Sequence, residues 1–326
     1  MNEFLLFFID ALSKVPTMSP SQMDKWNECP QEWYYGYKEQ LKRQNQNTFH
    51  MDRGTYFHRL CHYYYNLLRT GYRPGSPTVR AAMEKKIKED LKEMTVDTVT
   101  LLATSQPQFL DYIENYSPKI DMNIKIVEVE YEFHVLVQTP KGRFIFLHGF
   151  IDLVYRDLMN RLRVRDHKTG ERKDTWNQEK AKFDNQLFFY DLAMYILYGE
   201  QIDGVEINFI NLAKKPEKKF EMFKAEHEPV QLENYRVNLL KILDKILDSD
   251  IYRNYSKNCP SCSFYKLCTL ESKNLPVAST ISMLFERTNR GHKPGFNESP
   301  KATETVSRPT VTNDPRPEIV IDLGDW

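Results

Sequence analysis

Asp166 and Lys168 stand two residues apart in residues 161–168, a segment with the alternation of a β-strand. Successive side chains of a strand point to opposite faces, so both share a face with apolar residues, while the arginines and His167 occupy the other, solvent-facing side. Charge on an apolar face is costly to bury, and its presence there indicates a function in binding or catalysis.

A second aspartate, Asp152, is expected to face Asp166 from the preceding strand. A three-residue loop at 158–160 would pair Asp157 with Arg161, and counting outward sets Asp152 opposite Asp166 within about one residue. Facing side chains have Cβ atoms about 5 Å apart. At an effective dielectric constant of about 20, two carboxylates at that separation repel by roughly 3 kcal/mol.

A hard divalent cation that binds both carboxylates removes this repulsion, so the two strands predict a Mg²⁺ or Mn²⁺ site. Lys168 would orient or help to deprotonate a metal-bound water and stabilise negative charge on a phosphate under attack. The alternative is a structural ion pair between Lys168 and one of the two aspartates.

A group of cysteines indicates a second site. Cys259, Cys262 and Cys268 form a C-x2-C-x5-C pattern, which is one ligand short of a closed metal site or cluster. Thiolates at this spacing suit either zinc or an iron-sulfur cluster. Cys61, in an aromatic helix, is most simply a buried free thiol.

Helices and strands in mixed order position these residues. A capping sequence at residues 19–22 begins a helix that runs toward Cys29, and Arg53 opens a second helix that stops at Gly71. The other predicted elements are helices at 78–93, 183–197 and 232–247 and strands at 124–137, 144–155, 161–168 and 205–212. This order predicts an α/β domain.

Composition excludes several classes of protein. The 326 residues include 45 Lys and Arg against 45 Asp and Glu, with 12 Gly and no apolar run of the roughly 18 residues that a membrane helix needs. Zero net charge means that a nucleic acid would be held by local basic residues, such as Lys180 and Lys182. The N-terminal apolar run lacks a basic flank, and the cysteine number is odd, which together predict a cytoplasmic protein.

Four sequence elements resemble motifs of the RecB-like branch of the PD-(D/E)XK nucleases. They are Gly149-Phe150-Ile151-Asp152, Asp166-His167-Lys168-Thr169-Gly170, the Gln186 to Tyr190 helix motif of the type Q-x-x-x-Y, and the Gly54 to His58 element of the type G-x-x-x-H. The resemblance implies a restriction-endonuclease-like α/β core, with a mixed central sheet flanked by helices. It also implies that His58, Asp152, Asp166 and the His167 backbone carbonyl bind the metal, and that Gln186 and Tyr190 support the site and the substrate strand.

Cys29 extends the resemblance to the iron-sulfur nucleases of the AddB and CRISPR-adaptation type, in which one early cysteine joins three late ones. The resemblance implies that Cys29, Cys259, Cys262 and Cys268 hold a 4Fe-4S cluster, with zinc as the less favoured ion, and that this cluster joins the N- and C-terminal segments of one domain. That domain is predicted over residues 1–277. The polar, proline-bearing residues 278–326 are predicted to form a disordered tail.

The resemblance implies a metal-dependent DNA exonuclease that leaves 5′-phosphates and acts on single strands or DNA ends in phage or bacterial recombination, repair or replication. The alternatives are a structure-specific endonuclease and a non-cleaving DNA-binding recombination adaptor. Glu130 lies where such nucleases often carry an acid, but strand alternation predicts that it faces water with Glu128 and Glu132. Residues 318–326 either dock into a replication or repair protein or, as composition favours, bind no specific partner.

Overall fold

The computed structural model of the protein describes residues 15–44, 49–93, 105–171, 176–199, 202–213, 218–288 and 320–322. Contacts divide the chain into two compact units. Unit 1 contains Asn47–Asp244 with Met1–Pro20 and Val320–Trp326, and unit 2 contains Ser21–Gln46 with Lys245–Ile319. Residues 1–277, predicted to form one domain, thus contribute to both units.

The elements follow the predicted order. The helices are α1 Pro20–Glu28, α2 Pro30–Trp33, α3 Phe49–Arg69, α4 Pro77–Glu93, α5 at 105–111, α6 Ser117–Ile120, α7 Gln178–Lys182, α8 Asn185–Tyr198, α9 Pro229–Leu247, α10 Tyr265–Ser272 and α11 Ala278–Leu284. The strands are β1 Thr17–Met18, β2 Leu41–Arg43, β3 Lys125–Gln138, β4 Phe144–Arg156, β5 Leu162–Gly170, β6 Val205–Asn211, β7 Phe220–Ala225, β8 Phe285–Arg287 and β9 Val320–Asp322. Helix α3 begins four residues before Arg53, and α8 begins after Phe183 because the Asp184 side chain caps it by accepting from the Leu187 N–H.

Unit 1 is built on a seven-stranded mixed sheet in the order β7-β6-β5-β4-β3-β9, with β1 paired to β4. Strands β3, β4 and β5 are antiparallel neighbours, β5 and β6 are parallel, and β6 and β7 are antiparallel. The connection from β5 to β6 carries α7 and α8, as a parallel crossover requires. The predicted mixed sheet flanked by helices is confirmed.

Helix α3 packs an aromatic face against this sheet. Tyr56, Phe57 and Tyr64 are fully or almost fully buried in one cluster with Leu153 and Tyr155 of β4. Helix α4, predicted as a charged surface helix, adds one apolar face to the same cluster through Val79, Met83 and Ile87. This packing fixes the height and direction of α3, and therefore of His58, over the strands that carry the aspartates.

Two glycines of the recognised motifs allow elements to approach closely. A Cβ atom at Gly54 would lie 2.9 Å from Thr169 Oγ1, so the glycine lets α3 pass directly over the end of β5. A Cβ atom at Gly149 would lie 2.8 Å from Cζ of Phe133, a ring that is only 1% exposed. Both distances are shorter than real Cβ contacts, so the glycines are needed for packing.

We expect Gly149→Ala to reduce the free energy of unfolding by about 1–3 kcal/mol, because the added methyl group overpacks the Phe133 ring. The matched control is Gly36→Ala, where a Cβ atom would meet only Phe264 at 3.8 Å. Since Gly36 lies in the helical turn Tyr34–Lys38, alanine there should be neutral or stabilise by up to about 1 kcal/mol. Chemical denaturation of the two variants beside the parent measures both effects, and equal stabilities would contradict the packing argument.

Unit 2 joins residues from both flanks of the chain. Its core contains Tyr35 and Leu41 from the early segment and Phe264, Leu267 and Phe285 from the late one. Strands β2 and β8 pair antiparallel, with Leu41 opposite Arg287. The Tyr35 hydroxyl donates to the Glu271 carboxylate, which also accepts from Arg253 at 3.1 Å. Hydrogen bonds and apolar contacts therefore both connect the two segments.

The predicted start of the disordered tail at residue 278 is wrong. Residues 278–284 form α11, and β8 follows it, with Phe285 buried against Phe264 at a ring-centroid distance of 5.4 Å. The burial of Phe285 and the pairing of β8 with β2, a strand near the other end of the chain, order this segment despite its polar composition. Val320–Asp322 also form a strand, parallel to Val135–Val137 of β3. The rest of the predicted docking segment, residues 318–326, lies outside the described residues, and docking stays a prediction.

No helix in the described part of the chain is long and apolar enough to cross a membrane. The N-terminal apolar run considered above lies outside the described residues.

Candidate active site

Three side chains of ligand type converge in unit 1 from α3, β3 and β4. They are His58, Glu130 and Asp152, and one ligand atom from each lies within 4.8 Å of the other two. His58 Nδ1 is 3.4 Å from Asp152 Oδ2. His58 and Asp152, both expected to bind the metal, thus lie close together, and Glu130 is a third member of the group.

The position of Glu130 corrects the prediction that it faces water beside Glu128 and Glu132. Its backbone is in the left-handed region, with a φ of 50°, and its carboxylate lies beside His58 of α3 rather than in open solvent. The pairs on either side are Val129 with Leu153 and Tyr131 with Ile151, so Glu130 stands opposite Asp152. Counting residues across the hairpin between β3 and β4 would have found this position, whereas alternation within one strand could not.

Asp152 and Asp166 lie across the β4–β5 pair, as predicted. The last paired residues are Val154 with Val164 and Leu153 with Arg165, and one further step sets the aspartates opposite each other. The backbone N–H of His167 donates to Asp152 Oδ2 at 2.6 Å. The strand register therefore brings Asp166 next to Asp152, and the hydrogen bond from His167 fixes the Asp152 side chain. Although both aspartates are described, Asp166 is not part of the group that His58, Glu130 and Asp152 form within 4.8 Å.

A hydrogen-bonded chain connects Asp166 to helix α8. Lys168 Nζ lies 2.9 Å from Asp166 Oδ2 and donates to Gln186 Oε1 at 2.6 Å. The Gln186 amide donates to Asp166 Oδ1 at 3.0 Å and to the Tyr190 hydroxyl at 2.5 Å. Tyr190 in turn donates to the Phe150 carbonyl oxygen of β4 at 2.7 Å. The i,i+4 spacing of Gln186 and Tyr190 thus places both on the side of α8 that meets the strands.

The prediction that His167 and the arginines of β5 face solvent is wrong, because His167, Arg163 and Arg165 are all buried. The His167 side chain is fixed in the core, on the face of β5 opposite to Asp166 and Lys168. Its ring stacks on Tyr65 at a centroid distance of 5.2 Å, and its Nδ1 is 2.9 Å from the Asn208 amide nitrogen. Burial lowers the pKa of His167 to about 3, so the ring is neutral. This anchoring fixes the backbone between Asp166 and Lys168.

If all three carboxylates of the site were ionised, their negative charge would exceed the positive charge around them, and their pKa values reflect this. Burial raises the pKa of Glu130 to about 8 with help from Asp152, and burial raises the pKa of Asp166 to about 6 against the opposing effect of Lys168. Burial also acts to raise the pKa of Asp152, but nearby His58 outweighs it and lowers that pKa to about 2. For all three to ionise together, further positive charge is needed at this place.

The donor set fits a hard divalent cation. Carboxylate oxygens with one imidazole are ligands for Mg²⁺ or Mn²⁺. Asp166 Oδ2 is buried beside the Lys168 ammonium at 2.9 Å, and because a carboxylate oxygen has more than one lone pair, one is left for a cation. Lys168 itself remains an ammonium, since the Asp166 carboxylate outweighs burial and raises the pKa of the lysine. The arrangement can bind a cation and place a fixed positive charge beside it.

The basic residues that would hold a nucleic acid lie close to α8 in the sequence. Lys180 and Lys182 lie in α7, immediately before the helix that carries Gln186, and Lys182 is exposed and pairs with Glu179 at 3.0 Å.

The four cysteines lie together in unit 2. Cys29, Cys259, Cys262 and Cys268 are half-buried, form no disulfide and line one cavity. Cys259 accepts a hydrogen bond from the Ser256 N–H at 3.3 Å, and Cys262 accepts one from the Phe264 N–H at 3.4 Å. Although each of these residues lies within the described chain, no three of their sulfur atoms are within 4.8 Å of one another. Cys61 is buried in the α3 cluster of unit 1, as predicted.

Residues 17–269 match the family model of the PD-(D/E)XK nuclease superfamily. No curated protein matches the chain. Among solved structures, the chain is similar to the crystal structure of SSO0001, with 12% sequence identity and a TM-score of 0.32. That similarity covers 57% of this chain and 92% of the other.

Proposed function

Because the chain belongs to the PD-(D/E)XK nuclease superfamily and is thus a metal-dependent nuclease, we propose that it is a RecB-like DNA exonuclease. Its substrates would be single-stranded DNA or DNA ends, in phage or bacterial recombination, repair or replication. The observation that carries the proposal is the Lys168–Asp166 ion pair adjoining the group of Asp152, His58 and Glu130. A protein that only binds DNA does not need buried carboxylates that repel one another, which argues against a non-cleaving adaptor.

The residues proposed to hold the metal are His58, Asp152, Asp166 and the His167 backbone carbonyl, joined by Glu130. When bound, Mg²⁺ or Mn²⁺ supplies Lewis-acid stabilisation of the phosphate and lowers the pKa of water. The reaction is hydrolysis: a water oxygen attacks phosphorus, the bond from phosphorus to the 3′ oxygen breaks, and one product carries a 5′-phosphate. Protons leave to solvent or pass to the 3′ oxygen.

Lys168 would stabilise the negative charge that grows on the phosphate oxygens during this attack. Gln186 positions Lys168 by accepting its hydrogen bond and simultaneously donates to Asp166. Tyr190 supports Gln186 and joins α8 to the strand that carries Asp152. Lys180 and Lys182 are proposed to contact the DNA backbone next to this site.

Cleavage of linear and circular DNA tests the proposal. End-labelled linear and closed circular DNA, each single- and double-stranded, are incubated with the protein in Mg²⁺ or Mn²⁺, with and without excess chelator. We expect the linear single strand to be shortened from an end, the circle to remain intact, and the chelator to abolish cleavage. Cleaved circles would show an endonuclease instead. Binding of DNA without any cleavage would refute the nuclease proposal and favour the adaptor.

We also propose a 4Fe-4S cluster bound by Cys29, Cys259, Cys262 and Cys268. The four cysteines line one cavity of unit 2, and four cysteine thiolates are the usual ligand set of such a cluster, which supports the proposal. The backbone N–H donors to Cys259 and Cys262 are of the kind that tunes such clusters. Free thiols also support the proposal of a reducing, cytoplasmic location.

A further inference from the structure

A second group of metal-binding type lies on β3 and β4, outside the active site. His134 and His148 are direct cross-strand partners, and their ring centroids are 4.5 Å apart. Glu132, two residues before His134, has its Oε1 atom 3.3 Å from His148 Nε2. One ligand atom from each of the three residues lies within 4.8 Å of the other two. We call these three residues the strand cluster.

The strand cluster is distinct from the site at Asp152. The His134–His148 pair is four residues along both strands from the position where Glu130 faces Asp152. At about 3.3 Å per residue, this corresponds to roughly 13 Å. One ion cannot contact both groups across that distance, so each group would bind its own.

Strand pairing and neighbouring aromatic rings restrict the side-chain positions of the strand cluster even when no ion is bound. Antiparallel pairing holds the Cβ atoms of facing residues about 5 Å apart, so the two imidazoles share one place. Phe146 lies edge-on to His134 at a centroid distance of 6.3 Å, and Phe150 lies edge-on to His148 at 5.3 Å. The two phenylalanines limit ring rotation, which reduces the entropy lost when an ion is bound.

We propose that Glu132, His134 and His148 bind one divalent transition-metal ion, for which Zn²⁺ is the best fit. Two imidazole nitrogens and one carboxylate form the ligand set of open zinc sites. Mg²⁺ prefers oxygen ligands and would occupy the oxygen-rich group at Asp152 instead. Glu132 is exposed and both histidines are half-buried, so water or an anionic oxygen can complete the coordination. The proposal does not depend on nuclease activity.

Zinc binding at equilibrium tests this site. The cluster-loaded parent, Glu132→Gln and His148→Gln are dialysed against Zn²⁺ in excess Mg²⁺, and bound zinc per chain is measured by mass spectrometry. We expect the zinc ion that the parent binds most tightly to bind at least about 10- to 100-fold more weakly in each variant, because loss of even an outer-shell partner has an effect of this size and here a direct ligand is lost. His62→Gln, which changes a half-buried histidine of α3, should bind zinc as the parent does.

Asp152→Asn separates the two sites, since it alters only the active-site group and should retain the zinc equivalent of the strand cluster. Glu132 is exposed, so its replacement by glutamine should leave the fold intact, which circular dichroism verifies. Unchanged zinc binding in Glu132→Gln and His148→Gln would overturn the proposal and leave the Glu132–His148 contact as a surface ion pair. If only Asp152→Asn lost the tightly bound zinc ion, that ion would belong to the active site, and this result would also overturn the proposal for the strand cluster.

Discussion

Replacing Lys168 by methionine is expected to reduce the rate of DNA cleavage by about 100- to 1,000-fold, the effect of losing one positioned donor to a charged transition state. Methionine matches the length of the lysine stem, so the packing around α8 should be preserved. The metal ligands remain, and the defect should therefore lie in the chemical step. A single-turnover rate at saturating Mn²⁺ measures that step directly.

Lys85→Met is the matched control, because Lys85 is 79% exposed on α4 and lies in no group described for the active site. It should cleave DNA at the parental rate. A Lys168→Met variant that is folded and cleaves as fast as the parent would show that the lysine is only a structural partner of Asp166. In that case the alternative of a structural ion pair would be correct.

Replacing Cys262 by alanine is expected to abolish the cluster, with iron falling from about four atoms per chain to nearly none. The proposed cluster would add a cross-link between Cys29 and the late segment of unit 2 to the hydrogen bonds and apolar contacts already present there. If the cross-link contributes about 2–4 kcal/mol, as a long-range disulfide does, the opened population of unit 2 rises by about 30-fold or more. Iron analysis of anaerobically purified protein and limited proteolysis, with cleavage sites mapped to residues 245–288, measure both effects.

Cys61→Ala is the control for this prediction, since Cys61 is buried in the core of unit 1, whereas the four proposed ligands belong to unit 2. It should keep its full iron content. A parent protein that contains one zinc ion per chain and no iron would show that the four cysteines bind zinc and not a 4Fe-4S cluster. Iron retained in Cys262→Ala would remove this cysteine from the proposed ligand set.

Local patterns in the sequence are sufficient for the relation of Asp152, Asp166 and Lys168 on β4 and β5, whereas Gln186 and Tyr190 of α8 come from the family resemblance. Alternation places Asp166 and Lys168 on one face, and a short loop fixes the register to Asp152, because both depend on residues close in sequence. The environment of Glu130 is not predictable in this way, because it depends on His58 of α3, which is distant in sequence. Residues 278–288 were misplaced because β8 is stabilised by Leu41 and its neighbours, whose contribution depends on tertiary contact.

The assembly of unit 2 from both flanks of the chain has a consequence for biosynthesis. Cys29 leaves the ribosome early, whereas Cys259, Cys262 and Cys268 follow only after Asn47–Asp244, the main part of unit 1, has been translated. At roughly 5–20 residues per second, Cys29 waits on the order of ten seconds or more for its partners. The main part of unit 1 can begin to fold during this interval, and insertion of the proposed cluster would then be a late step. A message interrupted after residue 244 would yield a chain that contains the residues of the carboxylate site and lacks three of the four proposed cluster ligands.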